Sequence, residues 1–520
     1  MQTMTEKRGR VAFITTPKFR EQNSDEIPEE EPLRIAKSSV ASGPGPGVRN
    51  SRIAVRLQKL LDELSGLDFH GMNGDTPFTE AGLDSLALTQ VSVAIEKQLG
   101  VRLAFRQLLE EFPTLNALAD HLERTLPPDT PPAAEEPKLI PAGRTCDAAA
   151  DTMVLPLTDA QREIWFASQV SDAASCVFNE CRLLHLRGPL EPESMIGALR
   201  KLVARHEALR TTFAASGAAQ HIHRELTLDV PTMDWSGLAE AGQELRREAL
   251  LQEEARQPFD LVNGPLVRAR LIHLGEQHHL LLWTVHHLVC DGHSLGIVLR
   301  ELGELYSAGR RRIPEPLPPP LQLSEYAGKV AAKKSDGEYA AGESYWLAQF
   351  AGEAPALELP TDGPRPAAWR FEGARETRGL PATLNEAVKR FNSRQGCTPF
   401  ASLLAVYVLW LHRLTGQDEM TVGIPTADRA LDGGDSLVAH CINFLPLRCR
   451  INGDLDFAGF LTEVKQAFWE AFEHRQFGFG NLLHQLNVPR DQSRRPLVQA
   501  TFNVERLKDG LKFSGRARSP

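Results

Sequence analysis

Apolar residues follow two different rhythms along the chain. From 51 to 125 they recur at helical spacing. Ile53, Val55, Leu57, Leu60, Leu61 and Leu64 form one face of a first helix. A loop with Gly71, Gly74 and Pro77 leads to Ser85, which opens a second helix bearing Leu86, Leu88, Val91 and Ile95. A short segment carries Leu103, Phe105 and Leu108, and Pro113-Thr114 starts the last helix with Thr114 as its N-cap. The stretch predicts a small four-helix bundle. From 154 onward helices and strands mix. Ala198 to Ala208 reads as a helix, Leu266 to Leu274 and His279 to Val285 as strands, and Leu295 to Leu305 as a helix. The proline cluster Pro314 to Pro320 divides this region into a first lobe, about 154–325, and a second, about 340–520. The second lobe has Tyr345-Trp346 near its start, a buried helix from Ala401 to Leu414, and a strand from Met420 to Ile424. The fold class is therefore multidomain, a helical bundle plus a two-lobed unit mixing helix and strand.

Two segments lack either rhythm. Residues 1–50 hold an acidic cluster, Asp25 to Glu31, and the run Ser42-Gly43-Pro44-Gly45-Pro46-Gly47. They cannot bury enough apolar surface to offset ordering and are expected to be disordered. Residues 126–150 are rich in Pro and Ala, including Pro127-Pro128, Pro131-Pro132 and Glu135-Glu136-Pro137. Such a linker is semi-extended, at about 3.1 Å per residue, and would reach roughly 80 Å. No repeat unit is visible.

Composition narrows the function classes. The net charge of −9 argues against a nucleic-acid surface. No apolar run approaches the length of a membrane span. Met1 to Arg10 is polar and basic with no apolar segment behind it, unlike a secretory signal. The seven cysteines, Cys146, Cys176, Cys181, Cys290, Cys397, Cys441 and Cys449, are scattered without metal-ligand spacing. That fits reduced thiols in a cytoplasm and no metal site.

Candidate chemistry concentrates in His286-His287-Leu288-Val289-Cys290-Asp291-Gly292. It follows the apolar run Leu280 to Val285, so two imidazoles sit where a buried strand ends. Imidazole exchanges protons near neutral pH, and Gly292 lets a substrate approach the backbone. A His-His pair alone is commonplace, as His278-His279 illustrates. The fixed spacing to Asp291 and Gly292 gives the motif its weight. A second candidate is Ser85, within Gly82-Leu83-Asp84-Ser85-Leu86. A serine there is first an N-cap, but a helix start also favours an attached phosphate through its free N–H groups and dipole.

Residues 51–125 resemble the phosphopantetheinyl carrier domains of polyketide and nonribosomal peptide synthases. Phe78-Thr79-Glu80-Ala81-Gly82-Leu83-Asp84-Ser85-Leu86 matches their attachment motif, and Phe112-Pro113-Thr114 the opening of their last helix. The resemblance implies 4'-phosphopantetheine on Ser85. Asp84 before the serine leans toward a polyketide-type carrier.

Residues 154–520 resemble the condensation domains of nonribosomal peptide synthetases. Five blocks occur in order: Leu157 to Trp165, Arg205 to Phe213, His286 to Ser294, His440 to Arg448, and Arg490 to Leu497. Leu321 to Ala327 fits the family's middle block only loosely. The resemblance implies a fold of two chloramphenicol-acetyltransferase-like lobes with a tunnel between them. An acyl thioester on the Ser85 arm would condense with an amine on a downstream aminoacyl carrier to give an amide. His287 would deprotonate or hold the amine, and His286 would be structural. Asp291 would form a buried ion pair with Arg162. Gly292 would leave room and an N–H near the reacting centre, and Asn443 would line the channel or cap a loop. Partners would be a phosphopantetheinyl transferase and the synthase modules upstream and downstream.

Family members continue beyond the last block, so the short tail Ser514 to Pro520 suggests an incomplete second lobe. Alternatives are an epimerisation-type domain, or a non-catalytic docking or gating scaffold. A heterocyclisation domain would carry an acid at the position of His286.

Overall fold

The computed structural model describes residues 52–126, 145 and 146, and 152–505, less short internal stretches, the longest being 487–492. The N-terminal segment and almost all of the 126–150 linker lie outside the described residues.

In the bundle, α1 (Arg52–Ser65), α2 (Phe78–Ala81), α3 (Ser85–Leu99) and α4 (Leu115–Thr125) enclose Leu57, Leu61, Leu88, Val91, Leu118 and Leu122. Val55 is not part of the α1 stripe: it is 49% exposed. Ile53, Leu57, Leu60 and Leu61 follow a three-and-four spacing, and two residues before Leu57 the helix has turned by about 200°. Thr114 caps α4, its Oγ1 accepting from Ala117 N at 3.1 Å. The Pro113 carbonyl accepts from Phe78 N at 2.8 Å, tying the loop before α3 to the last helix.

The larger unit begins with β1 (Thr145–Cys146), β2 (Thr152–Pro156), α5 (Asp159–Ser168) and α6 (Asp172–Cys176). Then come β3 (Asn179–Arg187), α7 (Pro192–Arg205), β4 (Thr211–Phe213), β5 (Ala219–His223), β6 (Thr232–Asp234), α8 (Glu240–Arg256), β7 (Val267–Gly275), β8 (His278–His286) and α9 (Gly292–Arg311). The strands form two sheets, ordered β1-β2-β5-β4 and β3-β8-β7-β6. β8 is central in the second, antiparallel to β3 on one side and β7 on the other. Its residues Leu280 to Val285 are all buried, as a continuous apolar run in a covered strand should be. Helices α7 and α9 share one core with this sheet.

After α10 (Leu323–Lys333), a second core gathers α11 (Gly337–Gln349), α12 (Ala382–Gln395), α13 (Pro399–Thr415), β9 (Glu419–Ala427), β10 (Ile442–Arg450), α14 (Phe457–Glu473), α15 (Phe479–Gln485) and β11 (Ala500–Thr501). β9 lies between β10 and β11. The connection from β9 to β10 leaves its own lobe: Leu437, Val438, Ala439 and Cys441 are packed in the first lobe's core. This excursion builds the site below. No single helix among the described residues is long and apolar enough to cross a membrane. The side chains of Cys176, Cys181, Cys290, Cys397, Cys441 and Cys449 are free thiols.

Candidate active site

Strand alternation sends the two motif histidines to opposite sides. His286, the last residue of β8, is fully buried. Its Nδ1 accepts from Leu288 N at 3.3 Å and its Nε2 lies 3.5 Å from Ser175 Oγ. The rings of Phe178 and Phe259 flank it. Burial, with His287 adding to it, pushes its pKa down to about 3. It is a neutral core residue. His287 faces the other way, with a side chain 20% exposed. Its backbone N–H donates to Phe178 O at 2.8 Å, which pins the ring's root. Nδ1 of His287 is 3.2 Å from Nδ1 of His440, and the two rings stand at 90°. Nε2 lies 3.7 Å from Glu180 Oε1.

Asp291 caps α9, its Oδ1 accepting from Ser294 N at 2.8 Å. Its other oxygen accepts from Cys441 N at 3.1 Å. The charge partner is Arg429, whose Nη2 is 2.6 Å from Asp291 Oδ1. This corrects the expected Arg162–Asp291 pair. Arg162 is on the outer side of α5, 42% exposed, and pairs with Asp159 one turn back at 2.9 Å. Arg429 arrives on the excursion between β9 and β10 with its side chain fully buried. It also donates to Leu437 O at 2.7 Å and Ser294 Oγ at 2.6 Å. Burial alone would raise the Asp291 carboxyl, but Arg429 and the donors from Ser294 outweigh it and hold the pKa at about 2. Ser294 completes the clasp, donating to Ala439 O at 2.8 Å and accepting from Ala439 N at 3.0 Å.

Gly292 is the first residue of α9, and a Cβ there would meet nothing within 4 Å. That leaves room beside the motif. Asn443 holds a turn. Its Nδ2 donates to Arg475 O at 2.8 Å and Phe477 O at 3.2 Å, and its Oδ1 accepts from Phe479 N at 3.0 Å. It fastens the turn between α14 and α15. Trp165 is core, packed beside Phe213. Ser85 stands as the first residue of the long helix α3, where a helix offers unpaired N–H groups. Among the described residues no group of three or more His, Cys, Asp or Glu could hold a metal ion.

Sequence reasoning misses three residues of this site. His440 falls inside a matched block, and its signal is a histidine two residues before a strand. Glu180 gives little signal, since the strand that carries it also holds Arg182, His185 and Arg187. Arg429 gives no local signal, since its meaning lies in a partner 138 positions away.

Comparison with known proteins decides the family. Residues 152–515 match the family described as condensation domain, and residues 55–122 match the phosphopantetheine attachment site. The chain belongs to the condensation-domain family. It is a phosphopantetheine-binding domain followed by a condensation domain, and 4'-phosphopantetheine is the covalent cofactor such a domain carries. A linear gramicidin synthase protein of Brevibacillus parabrevis is 33% identical over 445 residues, covering 83% of this chain and 8% of that protein. A phosphinothricin tripeptide synthetase of Streptomyces viridochromogenes is 35% identical over 361 residues, covering 68% of this chain and 33% of that protein. The chain thus spans only a small part of these relatives. The X-domain in its complex with OxyB from teicoplanin biosynthesis superimposes with a TM-score of 0.61 at 26% identity, covering 68% of this chain and 78% of that one. The first condensation domain of the calcium-dependent antibiotic synthetase gives a TM-score of 0.57 at 23% identity over 70% and 83% of the two chains, a likeness of fold. The two-lobed condensation fold is thereby established, alongside the carrier domain.

Proposed function

We propose that this carrier–condensation pair makes an amide bond in a peptide or hybrid polyketide–peptide assembly line, with Ser85 as the attachment site and His287 as the base or positioning group. The observation that carries the reading is the division between the two histidines: His286 is sealed in the core, whereas His287 is reachable where the second lobe's excursion meets the first lobe. The attached arm would supply a thiol on which an acyl group rides. The N–H groups at the start of α3 suit its phosphodiester. His287 would take the proton from an amine held against it and return it to the departing sulfur. Positioning alone accounts for much of such a rate, since a free amine is already nucleophilic. Asp291, Arg429 and Ser294 would keep the motif loop rigid and touch no substrate. The amine would arrive on a downstream aminoacyl carrier, and a phosphopantetheinyl transferase would load the arm, both in the cytoplasm. The linker 126–150 would let the carrier swing, and protease cleavage there should release a folded helical unit.

The full chain, loaded with an acyl group by a phosphopantetheinyl transferase and offered an aminoacyl thioester, provides the test. Mass spectrometry should find one arm on the wild type, none on Ser85→Ala, and an amide product. His287→Ala should still load but form amide about 10²–10⁴-fold more slowly. An arm on Ser85→Ala would overturn the attachment site, and unchanged amide formation by His287→Ala would overturn its role. Epimerised substrate without amide would restore the epimerisation alternative.

A further inference from the structure

The surroundings of His287 contain more than the motif explains. Its Nδ1 meets Nδ1 of His440 at 3.2 Å, a distance at which the two nitrogens share one proton. His440 is buried, and burial, reinforced by His287, pushes its pKa down to about 3. It is therefore neutral at working pH and has an acceptor nitrogen to offer. With the shared proton on His287 Nδ1, the lone pair of His287 lies on Nε2. That nitrogen faces Glu180 Oε1 across 3.7 Å, too far for a direct hydrogen bond. Glu180 is itself held from behind, Oε2 lying 3.1 Å from Arg182 Nη1. The gap is thus bordered by two acceptors, an imidazole nitrogen and a carboxylate oxygen. A nitrogen bearing two hydrogens can sit about 2.9 Å from each and donate to both.

We propose that Glu180 and His287 together form a seat for a primary amine, with His440 as the positioning residue that keeps the lone pair of His287 on Nε2. This rests on the reading of His287 given above and names the acceptor's chemical class. In the step, the amine nitrogen bonds to the thioester carbonyl carbon and the carbon–sulfur bond breaks. The proton that leaves the nitrogen passes to Nε2 and then to the thiolate. The second N–H stays on the amide and is held by Glu180 while the bond forms. A secondary amine has only one N–H and cannot satisfy both acceptors, so the seat discriminates against it.

The experiment uses the full chain, acyl-loaded, with two soluble acceptors, the N-acetylcysteamine thioesters of alanine and of N-methylalanine. The wild type should favour the primary amine, and Glu180→Leu should lose about 10- to 100-fold in kcat/KM for it, the worth of one hydrogen bond to a charged group. The same variant should change little with the secondary amine, so the preference collapses. His440→Leu should lower kcat for both acceptors with little change in KM, and His440→Asn, whose Oδ1 can accept in place of Nδ1, should recover much of it. Melting curves matching the wild type would show each variant folded. If Glu180→Leu misfolds, Glu180→Gln must show the same loss of preference in weaker form. Unaltered discrimination in a folded Glu180 variant, or a His440→Asn no better than His440→Leu, would overturn the proposal. A His287→Ala protein with wild-type rates would instead overturn the underlying assignment, and only that outcome reaches it.

Discussion

At the scale of single residues, the motif aspartate is an internal fastener. Asp291 is held by an arginine and by the backbone N–H groups of Ser294 and Cys441, and the Ser294 hydroxyl accepts from the same Arg429. Removing one partner from a buried pair leaves the other charge stranded, at about 3–5 kcal/mol. Asp291→Ala should therefore melt well below the wild type, and Arg429→Leu likewise. Arg162→Ala should shift melting by no more than an exposed pair is worth, about 0–1 kcal/mol. Equal melting of Asp291→Ala and wild type would refute the buried pair. Acid titration carries a second test. His286 and His440 stay neutral in the folded protein down to about pH 3, while an unfolded histidine takes a proton near 6.5. Between those values the unfolded state binds more protons, so stability must fall as pH is lowered. The loss from Asp291 adds later, as pH drops from 3.8 toward 2. In a Glu163→Gln background, which removes a buried carboxyl whose pKa is pushed up to about 7 and whose titration opposes theirs, melting temperature should already decline between pH 6.5 and 5. A flat profile there would mean that the two rings are not buried neutral.

At the scale of elements, Asn443 spans three. From the start of β10 it binds two carbonyls of the turn that follows α14 and the first N–H of α15. Asn443→Ala would leave those groups unpaired in a half-buried turn, at about 1–3 kcal/mol each before water reaches them. Hydrogen exchange should quicken at Phe477 to Leu482 while β8 remains protected. Unchanged exchange would show that the turn holds without the amide. This residue also marks what can be read from sequence. Periodicity places β8 and α13 within two residues of their observed limits because each is covered by apolar neighbours at regular spacing, while α9 runs six residues past Leu305, where its apolar pattern ends. The split between His286 and His287 follows from strand alternation. Val55 misleads because an apolar residue inside a helical window need not lie on its stripe. Glu180 and the turn held by Asn443 are not legible, since their partners lie on distant elements of the same lobe, and Arg429 is not, since its pairing depends on a loop crossing from one lobe to the other. Local pattern contains no trace of such a crossing. The family resemblance pairs Arg162 with Asp291, and the structure gives that place to Arg429.

At the scale of the molecule, the two cores meet through polar contacts as well as through the excursion. α5, whose Ile164 and Trp165 belong to the first core, faces α15, whose Leu482 belongs to the second. Between them Gly480 N donates to Glu163 Oε1 at 2.6 Å, and Asn481 Nδ2 donates to Asp159 Oδ2 at 2.9 Å. Glu163 bears the cost of this junction. Burial, only partly offset by the Gly480 N–H and reinforced by Asp159, pushes its pKa up to about 7. The folded protein therefore retains a proton there that the unfolded chain releases near 4.5. Between those values the folded state binds more protons, so this group's contribution falls as pH rises, opposite in sign to the histidines. Glu163→Gln keeps an oxygen for Gly480 N–H and removes the titration. It should melt close to the wild type at pH 5. At pH 8 it should be more stable by roughly 1–3 kcal/mol, the scale of a carboxylate ionised in burial. A difference that is the same at both pH values would show that the lobes are joined with Glu163 already ionised.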